Sequence, residues 1–171
     1  PNWHAIHGQI AHLGSQYKAS SRVKDAGELS IKVLVKDILS DSSVVPLRVS
    51  LAAIARIRSY YSVGSEISKS PDQVKKLADL ITMSSMEGLD QFYEAFVSFT
   101  SIFSYHHSDC CIDLAESIPD MLELPPEFVS KRQWVSACEA LANISDAAIR
   151  QSREMISKRL SDASLRFADK L

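Results

Sequence analysis

Apolar residues recur at steps of three and four along almost the whole chain, and this spacing constrains the fold more than any other feature. Two such sets are Ile31, Leu34, Val35, Ile38 and Leu39, and Val74, Leu77, Ala78 and Ile81. Because an α-helix turns once every 3.6 residues, each set lies on one face of a helix and gives it an apolar side. The pattern therefore predicts an all-α protein.

The chain has only 5 glycines and 6 prolines, the residues that usually interrupt helices. Capping residues therefore supply most of the predicted helix boundaries. The sharpest signal is Ser70-Pro71-Asp72-Gln73, in which serine caps, proline suits the first helical position and glutamine closes a capping box. Asn143 predicts the cap of a long amphipathic C-terminal helix over about 146–170. The apolar stripe of that helix includes Ile156, Leu160 and Phe167.

Four of the six phenylalanines, Phe92, Phe96, Phe99 and Phe103, lie in one segment. We therefore predict a single all-helical domain over residues 1–171, a globular bundle of seven or eight helices around a central aromatic-rich helix at 89–105. A short HEAT-like helical array is the alternative architecture, although the residues show no fixed repeat period.

Composition places the chain among ordinary globular proteins, with 46% apolar and 23% charged residues. No apolar run approaches the roughly 18 residues of a membrane span. The three cysteines, Cys110, Cys111 and Cys138, follow no disulfide or zinc spacing, which favours a reducing compartment. We accordingly expect a cytoplasmic protein that does not engage a membrane.

The net charge of −2 hides an uneven distribution along the chain. Residues 1–70 carry 9 basic and 5 acidic side chains, residues 71–130 carry 2 and 11, and residues 131–171 carry 8 and 5. Two interpretations remain open. The acidic middle and the basic ends meet oppositely charged partners, or the segments neutralise each other within the bundle.

Candidate catalytic chemistry is sparse. The run His106-His107-Ser108-Asp109-Cys110-Cys111 contains zinc-ligand and nucleophile residue types, but no second Cys/His pair completes a site. His4 and His7 share a helical face, yet two ligands do not make a metal site. Phosphate loops, dinucleotide fingerprints and nucleophile elbows are absent from the sequence. We expect no enzymatic activity, no cofactor and no metal.

Two basic clusters are candidates for contact with nucleic acid: Arg56 and Arg58 beside Tyr60 and Tyr61, and Lys131 and Arg132 beside Trp134. Cations next to aromatic rings hold single strands by charge and base stacking. Tyr61 and Trp134, however, also fall on apolar stripes that the core requires.

The predicted C-terminal helix is the main candidate for protein contact, through Arg150, Arg153, Ile156, Leu160 and Phe167. Its stripe fits a core helix, a seam for self-association as a homodimer, or a basic membrane surface. The leading prediction is a non-enzymatic helical interaction module, an adaptor or regulatory subunit that binds protein partners. The alternative is an RNA- or nucleocapsid-associated protein that uses its basic N- and C-terminal regions.

Overall fold

A computed structural model describes residues 3, 5–6, 21–86, 92–117 and 131–169, without the side chains of residues 21–25, 86, 92 and 131–134. These residues form eight helices and no strand, which confirms the predicted all-α bundle. In chain order the helices are α1 (Ser21–Ile38), α2 (Leu47–Ile57), α3 (Tyr61–Ser68), α4 (Pro71–Met86), α5 (Phe92–Phe103), α6 (Ser108–Ser117), α7 (Lys131–Arg150) and α8 (Glu154–Ala168). Within this described part, no helix is long and apolar enough to cross a membrane.

Helix α5 lies at the centre of the bundle, as its aromatic content predicts. It packs against α2, α4, α6 and α7, and Phe96, Phe99 and Phe103 are fully buried. The buried Ser98 hydroxyl donates a hydrogen bond to the Ile54 carbonyl oxygen at 2.7 Å, which ties α5 to α2. The predicted first turn, from Leu89, lies outside the described residues.

Helix α4 begins where the capping signal places it. The backbone N–H of Gln73 donates a hydrogen bond to the Ser70 hydroxyl at 3.4 Å, and Pro71 occupies the first helical position. Val74, Leu77 and Ile81 are fully buried, so the predicted apolar face is the one that packs.

The C-terminal region differs from the prediction of one long helix over about 146–170. Asn143 lies inside α7, and the helix is interrupted at residues 151–153 instead. Ser152 adopts a left-handed φ of 59°. The Arg153 amide donates to the Ala148 carbonyl oxygen at 2.9 Å and the Ser152 amide to that of Ile149 at 3.0 Å. This is a Schellman motif, which ends a helix by satisfying its last carbonyls.

The break folds α8 back onto α7 as a helical hairpin. Ser145 and Ser157, both buried, face each other across it with their hydroxyl oxygens 3.1 Å apart. Each hydroxyl also hydrogen-bonds the other residue's carbonyl oxygen, at 3.0 and 3.2 Å. Small side chains of this kind let two helix backbones approach closely, and reciprocal bonds satisfy the buried hydroxyls.

Candidate binding cleft

The predicted protein-contact stripe is in the core. Ile156, Leu160 and Phe167 are buried, and the Phe167 ring lies 6.2 Å from the Tyr93 ring of α5. Since the chain itself covers this stripe, the interpretation of α8 as an exposed seam for a second copy is wrong. The apolar face predicted to bind a partner completes the bundle instead.

The two arginines predicted beside that stripe have different surroundings. Arg153 donates hydrogen bonds to Asp113 at 3.1 Å and Glu116 at 2.7 Å, which ties the hairpin to α6. Burial acts to lower the pKa of the Arg153 guanidinium, but the hydrogen bonds that it donates to these two carboxylates, together with their negative charge, hold the pKa above its usual value. Arg150 is exposed at the end of α7. Arg153 therefore binds side chains of its own chain.

The predicted basic clusters do not all converge. Arg58, exposed at the end of α2, lines a solvent-open cleft, whereas Arg56 is half-buried and not among the residues that line it. Lys131 and Arg132 begin α7, and their side chains lie outside the described set. Ser136, one turn further along α7, does line the cleft.

This cleft, called the tyrosine cleft below, has a volume of about 1100 Å³ and is open to solvent. Its walls come from the end of α2, from α3, from the end of α5 with the turn that follows, and from the first turns of α7. Five serines lie in the lining: Ser59, Ser65, Ser68, Ser101 and Ser136. Binding sites commonly combine such concavity with a few polar groups.

Two tyrosines stand in the lining with their side chains in solvent. Tyr61 is 88% exposed and Tyr105 is 84% exposed. The expectation that Tyr61 packs in the core is wrong. Its neighbour Tyr60, 4% exposed, is the one that packs. Helix α2 ends at Ile57, so its periodicity does not continue into the first turn of α3.

The apolar part of the lining comes from Ile57, Gly64 and Ile102. A Cβ atom added to Gly64 would lie 3.0 Å from the Ile102 side chain. This contact is tighter than ordinary van der Waals packing, so glycine allows α3 to lie close to α5. Ile57 and Gly64 are buried, so the half-buried Ile102 is the part of this apolar lining that a ligand can reach.

The charges in the lining are all basic. Arg58 and Lys69 are full cations, His106 and His107 are imidazoles, and none of the described lining residues is a carboxylate. Lys69 pairs with Glu66 at 3.1 Å, but both side chains are about seven-tenths exposed, at 72% and 69%. Exposed pairs of this kind contribute about 1 kcal/mol or less, so a ligand can replace Glu66 at little cost.

His107 holds the wall of the cleft together. Its Nε2 donates to the Ser68 carbonyl oxygen at 2.8 Å and lies 3.2 Å from the Ser68 hydroxyl. The ring also meets Phe103 edge-on with centroids 6.0 Å apart. The histidine thus joins the end of α3 to the turn between α5 and α6, which is a structural role.

A second cleft of about 540 Å³, called the cysteine cleft below, shares His106 and His107 with the first. It holds Cys110 among Asp79, Asp109, Asp113 and Lys75. Desolvation raises the pKa of the Cys110 thiol, Asp113 and Asp79 raise it further, and Lys75 lowers it. The thiolate is therefore disfavoured. Within the described part of the chain, no cluster of histidine, cysteine or carboxylate side chains could hold a metal ion. His4 and His7 lie outside that part.

Lys69 and Tyr105 were missing from the sequence-based candidates. They lie 36 residues apart in the chain and meet only because the end of α3 packs beside the turn after α5. No local pattern marks such a site. The one signal was the cluster of cations and aromatic residues at Arg58 and Tyr61.

Comparison with known protein families, with curated proteins and with solved structures finds no match to this chain. Any account of its function therefore depends on the geometry described above.

Proposed function

We propose that this chain is a non-enzymatic interaction module, an adaptor or regulatory subunit, which binds a segment of a partner protein in the tyrosine cleft. One observation carries the proposal: Tyr61 and Tyr105, both more than four-fifths exposed, line a single cleft of about 1100 Å³. Tyrosine is enriched where proteins bind, and it is among the residue types that most often dominate the binding energy.

The surrounding side chains support a protein ligand. Tyrosine and arginine are the residue types that most often dominate binding energy at interfaces, and Arg58 lies in the same lining as the two tyrosines. The half-buried Ile102 supplies apolar surface, while the serines can hydrogen-bond a peptide backbone. A cleft of this size accommodates a short extended segment better than the flat face of a folded domain.

The chemistry of the thiols supports a role without catalysis. A cysteine nucleophile needs a lowered pKa, and the environment of Cys110 raises it. The Cys111 thiol is buried in the core, and burial raises its pKa as well. Three free cysteines also suit a reducing compartment such as the cytosol, where we propose that the module works.

The proposal is tested by selecting from a displayed library of random 12-residue peptides on the whole chain. Selected peptides should lose about tenfold or more in affinity for Tyr61→Ala and for Tyr105→Ala, since anchoring aromatics carry most of the binding energy. Met155→Ala is the matched control, because Met155 is 87% exposed on α8 and does not line the cleft. Peptides that bind all three variants equally would refute the site.

Single-stranded RNA is a second candidate, favoured by the combination of exposed tyrosines with Arg58 and Lys69 in one lining. The structure separates the two arginines proposed for this role. If RNA binds here, Arg58→Glu should weaken binding of a labelled oligouridine and Arg56→Glu should leave it nearly unchanged. Binding should also fall steeply with added salt. Absence of binding at low salt would exclude this candidate.

A further inference from the structure

Resting on the proposed function, the geometry points to a particular chemistry for the bound segment: a proline-rich stretch in the extended polyproline II conformation. Three features of the tyrosine cleft favour this class of peptide. They are a pair of perpendicular aromatic rings in the turn after α5, a lining whose polar side chains all carry hydrogen-bond donors, and a scarcity of apolar surface within reach.

The perpendicular rings belong to Tyr105 and His106 and are called the aromatic corner below. Both side chains are exposed and both line the cleft. Their ring planes stand at 89° to each other, with centroids 4.9 Å apart, in the edge-to-face arrangement that aromatic rings prefer. Tyr61, 88% exposed, adds a third aromatic side chain to the lining. Proteins bind proline-rich segments in grooves lined by aromatic rings, against which the pyrrolidine rings pack.

The polar side chains of the lining favour a ligand that accepts hydrogen bonds. They are serine, tyrosine, histidine, lysine and arginine, each of which carries a donor group, and no described lining residue has a carboxylate or a side-chain amide. Tyr61 and Tyr105 lie in solvent, so a ligand can reach their hydroxyls. A polyproline II segment has no internal hydrogen bonds, and its prolines present carbonyl oxygens without an N–H that would need an acceptor. Its backbone therefore matches this lining.

The apolar surface within reach sets a limit on how flexible the ligand can be. Ile57 and Gly64 are buried, which leaves the half-buried Ile102 as the aliphatic part of the lining that a ligand can contact. A flexible peptide would pay a large ordering cost for few contacts. A proline-rich segment is already extended before it binds, so it loses less conformational entropy on entering the cleft.

The experiment is the same peptide selection on the whole chain. Selected sequences should be enriched in pairs of prolines three residues apart, because polyproline II has three residues per turn and this spacing places both rings on one side. Moving one of the two prolines by a single position keeps the composition but takes its ring off that side. The shifted peptide should bind about tenfold more weakly than the selected one.

Variants of the aromatic corner test where these peptides bind. Tyr105→Ala and His106→Ala should each weaken binding about tenfold, because each removes one of the two perpendicular rings. Tyr105→Phe should keep most of the affinity, since the ring remains and only the hydroxyl is lost. Met155→Ala, on α8 and outside the lining, is the control that should bind as the parent does.

Three results would overturn the inference, and they differ in what they leave standing. Selected peptides that depend on Tyr61 and Tyr105 but lack spaced prolines would refute it and leave the proposed function intact. Proline-rich peptides that bind Tyr105→Ala and His106→Ala as tightly as the parent would refute the role of the aromatic corner. Failure to select any tyrosine-dependent peptide would refute the proposed function itself.

Discussion

The tyrosine cleft and the cysteine cleft meet at the His106–His107 turn, yet their linings carry opposite charges. The cations of the first, Arg58 and Lys69, come from the basic part of the chain, residues 1–70. The carboxylates of the second come from the acidic middle, residues 71–130. The two clefts therefore place a basic lining and an acidic lining side by side.

The basic C-terminal part of the chain, residues 131–171, behaves differently. Arg153, from the basic C-terminal part of the chain, pairs with Asp113 and Glu116 of the acidic middle. Neutralisation across the bundle, one of the two interpretations of the charge pattern, thus holds for Arg153 in the hairpin. An uneven charge distribution along a sequence must therefore be assigned contact by contact.

The largest effect on stability is expected for Phe103, whose buried ring contacts His107 between the two clefts. Phe103→Ala should lower the free energy of unfolding by about 3–5 kcal/mol, because a fully buried ring is replaced by a cavity. The loss also removes the ring beneath His107, so both clefts should deform. Urea denaturation followed by circular dichroism measures the change.

Tyr105→Ala is the matched control for that measurement. Tyr105 lies two residues away, in the turn, and is 84% exposed, so its truncation should change stability by about 0.5 kcal/mol or less. Equal losses for the two variants would contradict the placement of one ring in the core and the other in solvent.

A smaller effect is expected for the pairing of the basic C-terminal part with the acidic middle. Arg153→Ala should cost about 1 kcal/mol, because the ion pairs with Asp113 and Glu116 are only partly shielded from water. Thermal unfolding at low and at high salt tests this, since salt should shrink the difference between variant and parent. Arg150→Ala, at an exposed site on the same hairpin, should show no such dependence.

These contacts show which parts of the molecule local sequence predicts. The α4 cap and the α5 core depend on residues within one helix, so spacing alone finds Ser70, Phe96 and Phe99. The sequence does not predict the break in the hairpin, because at position 152 a serine adopts the left-handed conformation for which glycine is the usual signal. The tyrosine cleft escapes because its cations and aromatic residues come from separate helices, and only packing joins them.

The break itself gives a prediction of modest size. Ser152→Gly should raise the free energy of unfolding by up to about 1 kcal/mol, because glycine adopts a left-handed φ of 59° without the steric cost of a Cβ atom. Because this turn positions Arg153 for its ion pairs with α6, the substitution should also strengthen those pairs. Ser152→Ala should bring no gain, and an equal gain for alanine would point to another cause.

The smallest effect concerns the thiol of the acidic cleft. Cys110 should react with iodoacetamide at pH 8 more slowly than an unstructured cysteine peptide, because desolvation, Asp113 and Asp79 raise its pKa and so reduce the thiolate fraction. Asp113→Asn should speed the reaction and Lys75→Gln should slow it, since the carboxylate raises the pKa and the ammonium lowers it. Peptide mass spectrometry separates this thiol from Cys111, which is buried and should react only on unfolding. A Cys110 that reacts faster than the free peptide would mean an activated thiol, and the proposal of a module without catalysis would then fail.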